Sequence, residues 1–266
     1  MDLFSSSKEL SDSQVTFYER SVNSIIAEDA KFQIFRRIYD YREILEHVDY
    51  NLGMKYLKKI NEAEPGILLD ISKFKKNDEV GSPRKYTYPG IGEISPTTLR
   101  YISVAVELRK EFGKGSLGSI VEIGAGYGGQ LSILSSLQYF SDYTVYDLPQ
   151  VQSLIRKYLT FQSVQNVAFP EVVTSPTKKF DLVISNYAFS ELPREVQIPY
   201  LEKILMNSRR GYLIMNSGLE NKSGRSKGKI TFKEIQDRIP HIKIMAENPS
   251  TGPDNYVLVW SDSGME

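Results

Sequence analysis

Apolar positions recur at three- and four-residue spacing through the first part of the chain. Val15, Tyr18, Val22, Ile25 and Ile26 line one face of a helix, and Ser11 with Gln14 three residues on can form its capping box. A second run, Phe32, Phe35, Ile38 and Tyr39, continues toward His47, and a third stops at Pro65-Gly66, where proline and glycine break the pattern. The spacing therefore predicts an all-helical accessory region over residues 1–80. From Gly81 to Pro96 the text GSPRKYTYPGIGEISP has no apolar period and predicts an extended, lid-like loop. Ser95 then caps a helix with Pro96 at its first position, with Leu99, Ile102 and Val106 facing inward and Gly113 closing it.

Beyond this helix the period alternates between that of strands and that of helices. Strands are expected at Ser119–Ile123, Tyr143–Tyr146, Phe180–Ser185 and Gly211–Asn216, with helices about Gln130–Gln138, Val151–Thr160 and Pro193–Met206 between them. Such alternation implies crossover units and a parallel sheet. A short helix opened by Thr231 and Glu234 precedes two strands, Ile242–Met245 and Tyr256–Trp260, which lack a helix between them and should pair antiparallel. The α/β domain is expected to span residues 81–266.

The most informative segment is Ile120-Val121-Glu122-Ile123-Gly124-Ala125-Gly126-Tyr127-Gly128-Gly129. A buried strand running into alternate glycines and then a helix lets the backbone approach a ligand and presents free amides at the helix N-terminus. Asp147 ends the next strand, 21 positions after Gly126. A carboxylate at that tip is placed to accept hydrogen bonds from both hydroxyls of a ribose. The spacing does not choose the nucleotide, because Gly124, Gly126 and Gly129 also satisfy the dinucleotide pattern, so a nicotinamide-dependent oxidoreductase stays open. Glu122 two residues before the first glycine, the long helical region ahead of the unit and the final hairpin favour another nucleoside. A non-catalytic partner subunit on the same fold is the third reading, and loss of the glycine loop or Asp147 would have favoured it.

Composition narrows the classes. Among 266 residues, 41% are hydrophobic and 25% charged, which suits a globular chain with a sizeable core. Lysine plus arginine (33) balances aspartate plus glutamate (33), so no global field draws the chain to nucleic acid. The absence of cysteine removes disulfides and thiolate chemistry. Met1–Leu10 lacks the pattern of a signal peptide, and no apolar run approaches the ~20 residues of a membrane span. A cytoplasmic protein is expected.

The segments E-I-G-A-G-Y-G-G, V-Y-D-L-P and F-D-L-V-I-S-N resemble those of class I S-adenosylmethionine-dependent methyltransferases. S-P-x-x-L-R-Y (Ser95–Tyr101), S-N-Y-A-F-S-E-L (Ser185–Leu192) and T-G-x-x-N-Y-V-x-x-W further resemble the sugar O-methyltransferase family, over about Tyr86 to Trp260. The resemblance implies a Rossmann-like sheet of seven strands with the last antiparallel, S-adenosyl-L-methionine as cofactor, and methyl transfer to a sugar hydroxyl in polysaccharide or glycoconjugate synthesis, on a free or carrier-linked acceptor. It carries Gly124, Gly126 and Asp147 over as cofactor contacts, with Ala125, Tyr127, Gly128 and Leu148 beside them. Glu122 matches an acid that organises the methionine amino end.

For the chemistry, a positioned base removes the hydroxyl proton as the methyl group moves. Glu191 and Asn186 follow the third parallel strand at the carboxyl edge, where ligands of such folds bind, and Glu191 is the first base candidate. Asn186 could hold the cofactor's methionine end or a substrate hydroxyl. His241 is the second base candidate. Tyr127, Tyr187 and Phe189 offer aromatic faces to a sulfonium or a sugar ring, and Tyr86 and Tyr88 are lid candidates. Arg225, in the basic loop Asn221–Lys229, would meet an anionic acceptor. No clustered acidic pattern calls for a metal, and the N-terminal helices are a candidate surface for homo-oligomers.

Overall fold

The computed structural model describes residues 12–219 and 226–262. Five helices come first: α1 (Asp12–Ala27), α2 (Asp29–Ile34), α3 (Tyr39–Leu45), α4 (Tyr50–Ala63) and α5 (Ile71–Lys75). The Ser11–Gln14 capping box lies outside the residues whose side chains are described. Val22 and Ile25 are fully buried as the period predicts, and so are Phe32 and Phe35. The second run is not one helix: a 3₁₀ turn at Phe35–Arg37 separates α2 from α3 and leaves Tyr39 66% exposed rather than inward.

The segment 81–96 differs from expectation. Tyr86–Tyr88 (β1) and Gly92–Ile94 (β2) form an antiparallel hairpin around Pro89-Gly90, where Gly90 takes φ +76°. Strands this short show no apolar period, which is why the pattern read as loop. Helix α6 (Pro96–Phe112) then matches its predicted caps: the Ser95 side chain accepts from the Thr98 amide, and Gly113 adopts φ +90°.

The sheet is built from β3 (Ser119–Ile123), β4 (Asp142–Tyr146), β5 (Val167–Ala168), β6 (Leu182–Asn186), β7 (Arg210–Met215), β8 (Lys243–Ala246) and β9 (Tyr256–Ser261), in spatial order β5-β4-β3-β6-β7-β9-β8. Only β9 runs against the rest, pairing antiparallel with both β7 and β8. This is the Rossmann-like, seven-stranded, mostly parallel sheet with an antiparallel pair that the sequence implies. Between the strands lie α7 (Gly129–Ser136), α8 (Pro149–Gln162), α9 (Ala188–Glu191), α10 (Arg194–Lys203) and α11 (Phe232–Gln236), the last opened by the expected Thr231–Glu234 capping box. The two-residue β5 and the one-turn α9 had no readable period, and β6 begins at Leu182 because Phe180 makes only an isolated bridge to Ser208.

Successive strand residues face opposite sides, so two cores form. One collects Ile120, Tyr143, Val145, Leu182 and Ile184 together with α6, α7, α8 and the N-terminal helices, while the other gathers Val121, Ile123, Val183 and Leu213 under α10. The helical region thus shares a core with the sheet. At its centre is Arg36, 1% exposed, whose guanidinium donates to Asp78, to the Asn77 carbonyl and to Ser95, and also pairs with Glu46. Among the described residues no helix is long and apolar enough to cross a membrane.

Candidate functional site

Strand order reverses at β3, with β4 on one side and β6 on the other, so the crevice outside their carboxyl ends is the switch point where open α/β sheets take ligands. The glycine loop lies there. Gly124 donates its amide to the Tyr146 carbonyl at 2.9 Å and takes φ +75°; a Cβ on it would stand 2.0 Å from Cβ of Ala188. That contact demands glycine and brings α9 directly against the loop. Gly128, the N-cap of α7, has φ +91°.

Asp147 reaches into the loop. Its Oδ2 accepts from the Ala125 amide at 2.9 Å and its Oδ1 from the Leu148 amide at 2.8 Å, and the Gly126 amide also stabilises the carboxylate. Burial pushes its carboxyl up to about 7 against the pull of these amides. The N-terminal helices wall this site. Leu45 lies 3.4 Å from where a Cβ on Gly126 would be, and the half-buried Tyr18 feels the charge of Asp147. Neither residue was singled out by the sequence, because a helix of α1's period reads as core whatever it covers.

Glu122 is 1% exposed, accepts from the Tyr143 hydroxyl at 2.8 Å, and burial pushes its carboxyl up to about 8. Tyr127 departs from expectation. Its ring is fully buried, under the Arg36 guanidinium at 4.8 Å and edge-on to Phe35, Tyr101 and Tyr158, while its hydroxyl accepts from Asn77. The ring is committed to the core, which leaves only its backbone for a ligand.

At the tip of β6, Asn186 has a buried Oδ1 with no hydrogen-bond partner among the described residues. Tyr187 follows with φ +71°, an uncommon conformation for a bulky residue, and its hydroxyl joins Glu247 and Thr251. Glu247 also accepts from the Thr251 amide at 2.7 Å and from Asn255 at 3.1 Å, so the terminal T-G-x-x-N motif folds back on the site. Phe189 is buried in the second core. Glu191 is exposed, with its Oε1 held by Asn216 Nδ2 at 2.8 Å. Lys229, from the basic loop, donates to the Glu191 and Leu192 carbonyls that end α9.

Three further candidates do not join this cluster. His241 is exposed and precedes β8, whose Lys243 pairs with Val259, itself level with Tyr212; Ala246, at the other end, is level with Met215. His241 therefore sits at the amino edge of the sheet, opposite the glycine loop, and is no base for this site. Tyr88 is 1% exposed and stacked on Tyr50 at 5.1 Å, so it is core rather than lid. Tyr86 lines a separate cleft of about 450 Å³ with Arg37, Arg42, His47 and Arg84. Arg225 lies outside the described residues.

The sequence reading missed Arg100, the only charge between Pro96 and Val106, which is 8% exposed. Its guanidinium stands 5.2 Å from the Tyr101 ring and hydrogen-bonds with Tyr101, and Tyr56, Tyr187 and His47 are among its further electrostatic neighbours. A lone charge on an otherwise apolar helix face was the available signal. Among the described residues no group of three or more His, Asp or Glu side chains is arranged to hold a metal.

No protein-family model matches the chain, and no curated protein matches it. Solved structures do. A SAM-dependent methyltransferase from Aquifex aeolicus is 14% identical over 58% of this chain and 87% of its own, with a TM-score of 0.43. The N-methyltransferase NodS from Bradyrhizobium japonicum WM9 is 13% identical over 60% of this chain and 92% of its own, at 0.44. The mitomycin 7-O-methyltransferase MmcR is 15% identical over 61% of this chain and 56% of its own, at 0.41. With TM-scores below 0.5 these likenesses do not decide the function.

Proposed function

We propose that this chain is an S-adenosylmethionine-dependent O-methyltransferase acting on a sugar hydroxyl. The observation that carries the reading is the Asp147 carboxylate bonded to the Ala125 amide at a glycine loop on the switch point, with α9 packed against Gly124. The residues fit the cofactor. Asp147 stands at the tip of β4 where a ribose acceptor belongs, Gly126 lets backbone approach the nucleoside, and Asn186 Oδ1, without a partner among the described residues, awaits a donor. When bound, S-adenosylmethionine supplies an electrophilic methyl group on a sulfonium.

What remains for the chain is to align an oxygen, exclude water and take a proton. Leu45 and Tyr18 stand beside Gly126 and Asp147 on the nucleoside side. Glu191, at the end of α9, is the proposed base: Asn216 fixes one carboxylate oxygen and leaves the other to accept the hydroxyl proton. The sugar acceptor, free or carrier-linked, approaches from the exposed side of Glu191. No observation favours the nicotinamide reading over this one.

Glu191→Gln tests the assignment. Glutamine keeps the shape and the contact with Asn216 but loses basicity, so cofactor affinity should hold while turnover falls by ~10²–10⁴-fold. Near-normal turnover across a pH series would reduce Glu191 to an exposed acid at a helix end.

A further inference from the structure

Arginines from three segments line the separate cleft of about 450 Å³. Arg37 comes from the 3₁₀ turn, Arg42 from α3 and Arg84 from the stretch before β1, and the buried Arg36 lines it as well. The acids in its lining are Glu46 and Asp49, and both are engaged. Glu46 pairs with Arg36 and accepts from the Thr97 hydroxyl at 2.9 Å, while Asp49 caps α4 by accepting from the Leu52 amide at 2.8 Å. Arg42 has the exposed Glu43 at 3.0 Å. Arg37 donates to the Ser82 carbonyl at 2.6 Å and has no carboxylate partner among the described residues, where Arg84 has neither ion pair nor hydrogen bond. Guanidinium groups gathered in one concavity repel one another unless an anion sits among them, and their planar forks match the oxygens of a phosphate.

The cleft lies toward the edge of the sheet that carries the glycine loop. Helix α6 ends at Gly113 shortly before β3 begins, so its Pro96 end, which lines the cleft, is directed to the carboxyl edge. Leu45, whose side chain approaches Gly126, is followed directly by Glu46 and His47 of the cleft wall. The methyl donor itself carries no phosphate, so it does not account for these arginines. Tyr86, half-buried and edge-on to Tyr50 at 5.6 Å, adds an aromatic ring to the same lining, as sites for organic ligands commonly do.

We propose that this cleft holds the phosphate of a phosphorylated acceptor, a sugar phosphate or a nucleoside-diphosphate sugar, with Arg37 and Arg84 as its principal donors. The proposal rests on the methyl-transfer reading and narrows its acceptor from any sugar to a phosphorylated one. Arg42 and His47 extend the binding wall. Partial burial and the charge of Arg100 hold the His47 imidazole below its ordinary value, so at neutral pH it contributes a hydrogen-bonding group rather than a further charge. Four guanidiniums against two engaged carboxylates favour an anion over a neutral sugar. The balanced charge of the whole chain hides this local field.

Calorimetry with inorganic pyrophosphate tests the assignment. The wild-type chain should bind it saturably, and Arg37→Gln and Arg84→Gln should each weaken it by roughly tenfold or more. Arg238→Gln removes an equal charge from an exposed position before β8 and should leave the affinity unchanged. All three variants should bind S-adenosylhomocysteine as the wild type does, which shows that each is folded. Glucose 1-phosphate and UDP-glucose then separate the two sources of phosphate: equal affinity points to the sugar phosphate, tighter binding of UDP-glucose to the nucleotide-linked form. Absence of saturable pyrophosphate binding, an equal loss in Arg238→Gln, or methyl glucoside binding as tightly as the two phosphorylated sugars overturns the proposal, while S-adenosylhomocysteine binding keeps the donor reading standing. Failure of the wild-type chain to bind S-adenosylhomocysteine overturns the methyl-transfer reading and the acceptor assignment with it.

Discussion

Arg36 and Arg100 are 1% and 8% exposed, yet the structure treats them in opposite ways. Arg36, on the 3₁₀ turn between α2 and α3, is surrounded by Glu46, Asp78, Asn77 and Ser95, and stacks on Tyr127 of the glycine loop. Every strong donor has an acceptor, and the acceptors come from α3's end, the turn before β1 and the cap of α6. This network holds the helical region onto the sheet. Arg100, one turn into α6, has the phenols of Tyr101, Tyr56 and Tyr187 around it and, among the described residues, no carboxylate within ion-pair reach. A buried charge met by carboxylates from several elements ties those elements together, whereas one met only by phenols does not.

The contrast is broken or sharpened by stability first. Arg36→Met strands Glu46 and Asp78 without their cation, and removing one partner of a buried pair typically costs ~3–5 kcal/mol. Urea denaturation should show a loss of that size. A loss under about 1 kcal/mol would mean that the network does not hold the two regions together.

Glu122 gives the next largest effect. Its carboxyl is pushed up to about 8 by burial, above its value in the unfolded chain, so between those values the native state binds more protons than the unfolded one. Its contribution is therefore destabilising: absent below the unfolded pKa, growing as pH rises, and complete above about 8. Asp147, pushed up to about 7, acts in the same direction. Glu122→Gln should raise stability at alkaline relative to acidic pH by on the order of 2–4 kcal/mol and flatten the decline. A wild-type profile that rises through this window would contradict the burial of Glu122 as an unpaired acid.

Arg100→Met has the smallest expected effect on folding, within ~1 kcal/mol of wild type or slightly stabilising, because no partner is stranded when the charge goes. Denaturation alongside Arg36→Met checks this directly. Equal losses in the two variants would erase the distinction between them.

The sequence made the backbone of the site legible because local chemistry dictates it. Glycines before α7, an acid ending β4, the Ser95 and Thr231 caps and the helix-free link between β8 and β9 each act within a few residues. What stayed hidden depends on distance. His241 is two residues before β8, but only the register of β8 against β9 and of β9 against β7 shows that it lies at the far edge. Tyr127 sits between glycines, yet Arg36 and Asn77, remote in sequence, claim its ring and hydroxyl. Glu247 meets Tyr187, and Asn255 meets Glu247, only once β9 has inserted beside β7. The hairpin of β1 and β2 was invisible because three-residue strands carry no period.

The central claim is that Asp147 and the glycine loop hold the nucleoside of a methyl donor. Calorimetric titration of the wild-type chain and of Asp147→Ala with S-adenosylhomocysteine and NAD tests it most directly. The account predicts saturable one-to-one binding of S-adenosylhomocysteine to the wild type, its loss in a folded Asp147→Ala, and no binding of NAD. Saturable NAD binding without S-adenosylhomocysteine binding, or unchanged S-adenosylhomocysteine affinity in Asp147→Ala, would contradict it.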